Sequence, residues 1–187
     1  ISYVQMDYEV AILSFKKVIN KFPSNKDIDY AYYMIAMCYY EQLENEGLDG
    51  YYNRLALNSF NQVIKRFPES KYAKDSRQKI ILVKSNIAAK HMEIGRFYLH
   101  NKKYIAALNR FKIVVDDFEM SKFTPEALHR MVEIYYDMGM YDESYNTAAL
   151  LGYNYPDSKW YKYSYNLLKQ IDDEETFIKK IRNFFDG

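Results

Sequence analysis

Turn-forming residues are scarce in this chain, with six glycines and four prolines among 187 residues. Period-two alternation bounded by turn signals is absent as well, which disfavours a β architecture. One cysteine, Cys38, stands alone, so no intrachain disulfide can form. It lies mid-helix in Ala36-Met37-Cys38-Tyr39, where it reads as a small buried hydrophobe rather than a reactive thiol. No run approaches the ~20 apolar residues of a membrane span. Charge of one sign is also lacking: 26 basic and 25 acidic side chains leave a net +1. That balance supplies no footprint for nucleic acid or for an anionic membrane.

Catalytic groupings are missing too. His91, His100 and His129 are the three histidines, and His129 with Glu133 lacks the second histidine of a zinc-protease helix. Asp116-Asp117 and Asp172-Asp173-Glu174-Glu175 read as solvated or capping runs near helix ends, not paired acid and base. There is no phosphate-binding glycine loop and no nucleophile elbow. No cofactor and no metal are expected, and an enzyme is disfavoured.

What is abundant is apolar and aromatic material: 49% hydrophobic residues, with 21 tyrosines. It is arranged in a recurring pattern. Ala11, Phe15, Phe22 and Pro23 return as Ala56, Phe60, Phe67 and Pro68, then as Ala107, Phe111, Phe118 and Glu119, then as Ser144, Ala148, Tyr155 and Pro156. In the third unit Ile94, Gly95, Tyr98, Tyr104, Ala107 and Phe111 fall at tetratricopeptide spacing, and Met131, Val132, Tyr135, Gly139, Tyr141 and Ser144 repeat it. The expected fold is all-α, a tetratricopeptide superhelical array of antiparallel helix pairs, each burying its apolar face on its neighbours.

The array is expected to span 1–187 as one domain. Residues 1–23 read as the second half of a unit whose first helix is missing, 24–68 as a unit with an insertion near Glu44 to Arg54, 69–119 as a unit with a long first helix, 120–156 as a further unit, and 157–187 as C-terminal helices. Eight or nine helices are expected, one running from Tyr72 to His100, where Gly95 is the only proline or glycine. Ala11, Phe15, Ala36, Ala56, Phe60, Gly95, Ala107, Phe111, Val132 and Leu151 should be buried between helices. Ser70, Ser121 and Ser158 recur just past the unit boundaries, each two residues before an aromatic, and read as caps for the next helix. Thr124-Pro125-Glu126 reads as a cap, a first-turn proline and a dipole-compatible acid.

Two surfaces stand out. Tyr30, Tyr33, Met37 and Tyr40 are spaced by three, four and three residues, so they form one helical stripe. At these repeat offsets the stripe should line a concave peptide groove; the competing reading is core covered by a preceding unit. Arg110 precedes core Phe111, so the helical period turns it toward the outer surface.

The runs His91-Met92-Glu93-Ile94-Gly95-Arg96-Phe97-Tyr98-Leu99, Ala107-Leu108-Asn109-Arg110-Phe111 and Pro125-Glu126-Ala127-Leu128-His129-Arg130 closely resemble the BamD family, the tetratricopeptide lipoproteins of the bacterial outer-membrane β-barrel assembly machine. Asp27-Ile28-Asp29-Tyr30 and Gly152-Tyr153-Asn154-Tyr155-Pro156-Asp157-Ser158-Lys159-Trp160 extend the resemblance, in an alphaproteobacterial style. It implies a non-enzymatic scaffold on the periplasmic face of the outer membrane, held by a lipid on an N-terminal cysteine absent from this chain. It implies docking to the POTRA domains of a BamA-like subunit, contact with other lipoproteins of the complex, and reception of unfolded outer-membrane proteins. Asn109, Arg110 and Arg96 become the candidate partner-binding residues, with Arg110 facing an acidic group. Gly50 stands where the family has a proline after Asp49 in the inserted loop. The alternative function is a generic tetratricopeptide adaptor of the cell envelope or cytosol.

Overall fold

The structure, a computed structural model, describes residues 2–43 and 50–169. Eight α-helices occur among the described residues: α1 (Tyr8–Lys21), α2 (Ile28–Tyr40), α3 (Tyr51–Arg66), α4 (Lys71–His100), α5 (Tyr104–Asp117), α6 (Thr124–Asp137), α7 (Tyr141–Asn154) and α8 (Lys159–Lys169). The fold is all-helical with no strand among those residues, as the repeat pattern requires. Most of the insertion before Arg54, the acidic run at 172–175 and the last part of 157–187 lie outside the described residues.

The recurring aromatics end the second helix of each unit. Phe22, Phe67, Phe118 and Tyr155 are the C-caps of α1, α3, α5 and α7, with φ between −132° and −139°. Their N–H groups still donate to Val18, Val63, Val114 and Leu151, while the chain turns out of the helix. A following proline disfavours helical geometry at the residue before it, yet Phe118 does the same before Glu119. The aromatic, not the proline, is the constant element of the stop.

Two of the three serines cap as expected: the hydroxyls of Ser70 and Ser158 accept the N–H groups of Tyr72 in α4 and Trp160 in α8 at 3.1 and 3.2 Å. Ser121 accepts the N–H of Phe123 at 3.2 Å, but Phe123 is itself the residue before α6, so this bond closes the turn ahead of the helix and does not cap it. At the first boundary Asn25 takes that place, its side-chain oxygen accepting Asp27 N–H at 2.9 Å. Thr124 departs from expectation. Phe123 is the N-cap of α6, and the Thr124 hydroxyl donates backward to the Phe118 carbonyl at 2.9 Å.

The chain divides into two compact units, Ile1–Ile87 and Ala88–Gly187. In the first, Ala36, Met37, Leu43, Ala56, Phe60 and Val83 form one core cluster, and Ala11, Ile12, Ile35 and Cys38 a second. Burial pushes the Cys38 thiol up to about 11, which keeps it protonated and inert. In the second unit, Ala88, Met92, Ala107, Phe111, Val114, Met131 and Ile134 share one core, and Val132, Tyr145, Ala148 and Leu168 another. All the residues expected between helices are buried except Phe15, which is half-buried beside α2. Gly95 is needed where it stands: a Cβ there would sit 2.6 Å from the Phe111 ring.

Candidate partner and peptide surfaces

Arg110 and Asn109 lie mid-α5 beside Phe111, whose ring is fully buried. That anchor fixes the orientation of its neighbours. Asn109 is exposed and Arg110 half-buried, and neither makes a hydrogen bond or ion pair with any described residue. Arg110 still has an electrostatic consequence: the His91 imidazole is held below its ordinary range, first by burial and then by the Arg110 charge, with Asp117 opposing. His91 therefore stays neutral at pH 7, stacked 6.3 Å from Phe118. Arg110 is thus a half-buried cation whose guanidinium is paired with no described residue.

Arg96 is placed differently. Its Nε and Nη2 donate to Glu126 Oε1 and Oε2 at 2.9 and 3.1 Å, a two-pronged bond from α4 to α6. Glu126 also lies 3.7 Å from Arg130 Nε, Arg130 Nη1 donates to Glu133 at 2.7 Å, and Glu133 stands 3.4 Å from His129 Nε2. His129 is buried, with Nδ1 2.8 Å from the Ser164 hydroxyl and its ring 5.3 Å from Trp160. Burial alone would push the Glu133 carboxyl up, but the hydrogen bonds and charges of His129 and Arg130 hold it below its usual range. Of the three candidate partner-binding residues, Arg96 is therefore the one whose fork is engaged within the fold, by Glu126, with its side chain still 43% exposed. No group of histidine, cysteine and acidic side chains with metal-holding geometry occurs among the described residues.

The tyrosine stripe on α2 is largely covered. Tyr33 stacks on Tyr72 with centroids 5.0 Å apart and donates its hydroxyl to Asp75 Oδ2 at 2.5 Å. Burial first, then Asp75, raises the Tyr33 phenol. Tyr40 packs 6.2 Å from Phe60 under Lys79, 4.6 Å from the ring, and Met37 is buried in the core. Tyr30, at 43% exposure, touches Phe15 and Tyr72 and is the member still open. Among the described residues the stripe is thus no continuous open groove: Phe15 of α1, Phe60 of α3 and Tyr72, Asp75 and Lys79 of α4 all pack on it. Asp75, Tyr72 and Lys79 were not legible as its partners, because they lie some forty residues away in sequence.

This helix-pair chain, with its Asn109-Arg110 face, can be set beside known proteins. Residues 2–151 match the family model of YfiO, described as an outer membrane lipoprotein. The chain belongs to that family. It is 44% identical over 171 residues to the outer membrane protein assembly factor BamD of Rickettsia prowazekii, covering 91% of this chain and 68% of the relative. Against BamD of Caulobacter vibrioides it is 39% identical over 166 residues, covering 89% and 54%. BamD of Neisseria meningitidis serogroup A is 23% identical over 166 residues, covering 83% and 62%. Of the lengths of these curated relatives the chain therefore spans between about half and two thirds. Among the described residues no helix is long and apolar enough to cross a membrane.

Proposed function

We propose that this chain is a non-enzymatic scaffold of the outer-membrane protein assembly machinery, docking on the POTRA domains of a BamA-like subunit through Arg110 and Asn109. The observation that carries the reading is the match to assembly factors over 91% of the chain. It is supported by Arg110, a half-buried arginine of α5 with no ion pair to any described residue. Arg96 contributes indirectly, by fixing α4 against α6 through Glu126. Attachment to the periplasmic face of the outer membrane is through a lipid on a cysteine other than Cys38, which is fully buried in α2. Unfolded outer-membrane proteins meet the first unit, where Tyr30 offers the accessible ring of its stripe, packed against Phe15 and Tyr72. Other lipoproteins of the complex bind elsewhere on the helical surface.

The test is a titration of this chain with a purified POTRA fragment of its own BamA-like protein, read by calorimetry. Saturable one-to-one binding that falls with rising salt is expected for a charge-steered contact. Absence of binding at low salt would contradict the docking.

A further inference from the structure

Three helices of the first unit enclose a cleft of about 440 Å³ that the proposed docking does not use. From α1 come Lys16 and Asn20, from α3 Asn58, Ser59 and Gln62, and from α2, between them, Tyr32, Ile35 and Tyr39. Lys16 and Asn20 are four apart, Tyr32, Ile35 and Tyr39 follow spacings of three and four, and Asn58 and Gln62 are four apart with Ser59 beside them, so each helix presents one stripe. Ile35 is buried and the two tyrosines half-buried, so α2 forms an apolar floor, while Lys16, Asn20, Asn58 and Gln62 are exposed along the rims. None of the five polar rim and wall side chains hydrogen-bonds to a described residue.

The pairing capacity of these walls is specific in kind. A side-chain amide carries both donors and acceptors, as a peptide group does, and amides stand on both sides of the floor. Asn58 and Gln62 are four residues apart on α3, a rise of about 6 Å. An extended chain presents groups on the same side every two residues, about 6.6 Å. The two pitches match closely enough for successive amides to meet successive peptide groups along one edge. Charge adds a preference: among the described residues no carboxylate lines the cleft and Lys16 supplies the one ammonium, while the Arg66 guanidinium lies 5.1 Å from the Tyr32 ring.

We propose that this cleft binds an extended polypeptide segment of a partner protein, held through its backbone by Asn20, Asn58 and Gln62, with an acidic side chain of the segment against Lys16. The cleft belongs to the first unit and Arg110 to the second, and neither proposal depends on the other.

The experiment is a selection of phage-displayed random decapeptides on the intact chain, followed by anisotropy titration of the recovered peptides. Expected are peptides bearing an acidic residue, whose affinity falls about ten-fold or more for Asn58→Ala/Gln62→Ala, which removes two amide pairs. Lys16→Glu should abolish the acidic preference and favour a lysine-substituted version of the same peptide. These positions are exposed on their helices, so melting temperatures should be unchanged; if the double variant fails to fold, Lys16→Glu alone decides. Recovery of no peptide above background, of peptides rich in basic residues, or of peptides indifferent to both variants would overturn the proposal. So would a dimer of this chain that Lys16→Glu dissociates, since a second copy would then occupy the cleft.

Discussion

The two units solve one packing problem with different residues. In the first, the ring of Phe60 is fully buried against α2, where Ala36 is the small residue of the motif and Tyr33 and Tyr40 each bring a ring 6.2 Å away. In the second, Phe111 is equally buried against α4, but the small residue is Gly95, and the ring occupies the space a Cβ would need. Around these cores the support also differs. The first unit surrounds its phenylalanine with tyrosines and one Tyr33–Asp75 hydrogen bond, whereas the second ties α4 to α6 with the Arg96–Glu126–Arg130–Glu133–His129 chain of charges. The repeat pattern fixes where a large ring meets a small residue; it leaves free how the surroundings are satisfied.

The strongest challenge to this comparison is Phe111→Ala, which removes a fully buried ring and should cost about 3–5 kcal/mol in urea unfolding. A cost below about 1 kcal/mol would show that the second unit does not rest on that ring. Gly95→Ala comes next. The added methyl meets Phe111 ring atoms at 2.6 to 3.0 Å, so overpacking should cost about 1–3 kcal/mol despite the better helix propensity of alanine. The mirror change Ala36→Gly should cost about 1 kcal/mol through backbone freedom. A Gly95→Ala cost no larger than that of Ala36→Gly would erase the distinction between them.

Backbone strain gives a smaller effect of opposite sign. The α4–α5 connection puts Lys102 at φ 56°, where the α6–α7 connection has Gly139 at φ 73°. In both, N–H groups close back on the preceding helix, Lys103 to Tyr98 and Met140 to Tyr135. A side chain in that left-handed conformation is disfavoured by about 1 kcal/mol relative to glycine. Lys102→Gly should raise the melting temperature slightly, and a decrease would contradict the strain.

The charge chain of the second unit should also show in its acid limb. Glu133 has its carboxyl held below the usual range in the folded chain. Its contribution is therefore present above the unfolded-state value and lost as pH falls through the lower folded value. Glu133→Gln should lower stability at neutral pH and make its decline below the ordinary glutamate range shallower. An unchanged acid limb would assign the decline to other carboxylates.

Much of the fold was legible because it depends on local spacing: the long α4, the aromatic stops, the serine caps and the small residue opposite Phe111 all follow from near neighbours. Glu126 reaches Arg96 thirty residues away, and Asp75 reaches Tyr33 across forty-two. No periodicity within either helix signals those pairs. The Thr124 hydroxyl was misread for a related reason: the residue type suits a cap, but the carbonyl of Phe118 lay within reach of the same oxygen. The burial of Phe111 was legible from the repeat spacing, and with it the place of Arg110 one residue earlier on α5. The cleft walled by Asn20, Asn58 and Gln62 was not legible, since it exists only once three helices are assembled.

The central proposal is that Arg110 meets a partner, whereas Arg96 bridges α4 and α6 through Glu126. Binding of a purified BamA-like POTRA fragment and thermal melting, measured side by side for Arg110→Ala and Arg96→Ala, test it most directly. The account predicts that Arg110→Ala weakens binding by about 2–5 kcal/mol, the cost of leaving a partner carboxylate buried and unpaired, with its melting temperature unchanged. It predicts that Arg96→Ala lowers the melting temperature by freeing Glu126. Full affinity in Arg110→Ala, or a loss of stability that accounts for its loss of binding, would contradict it.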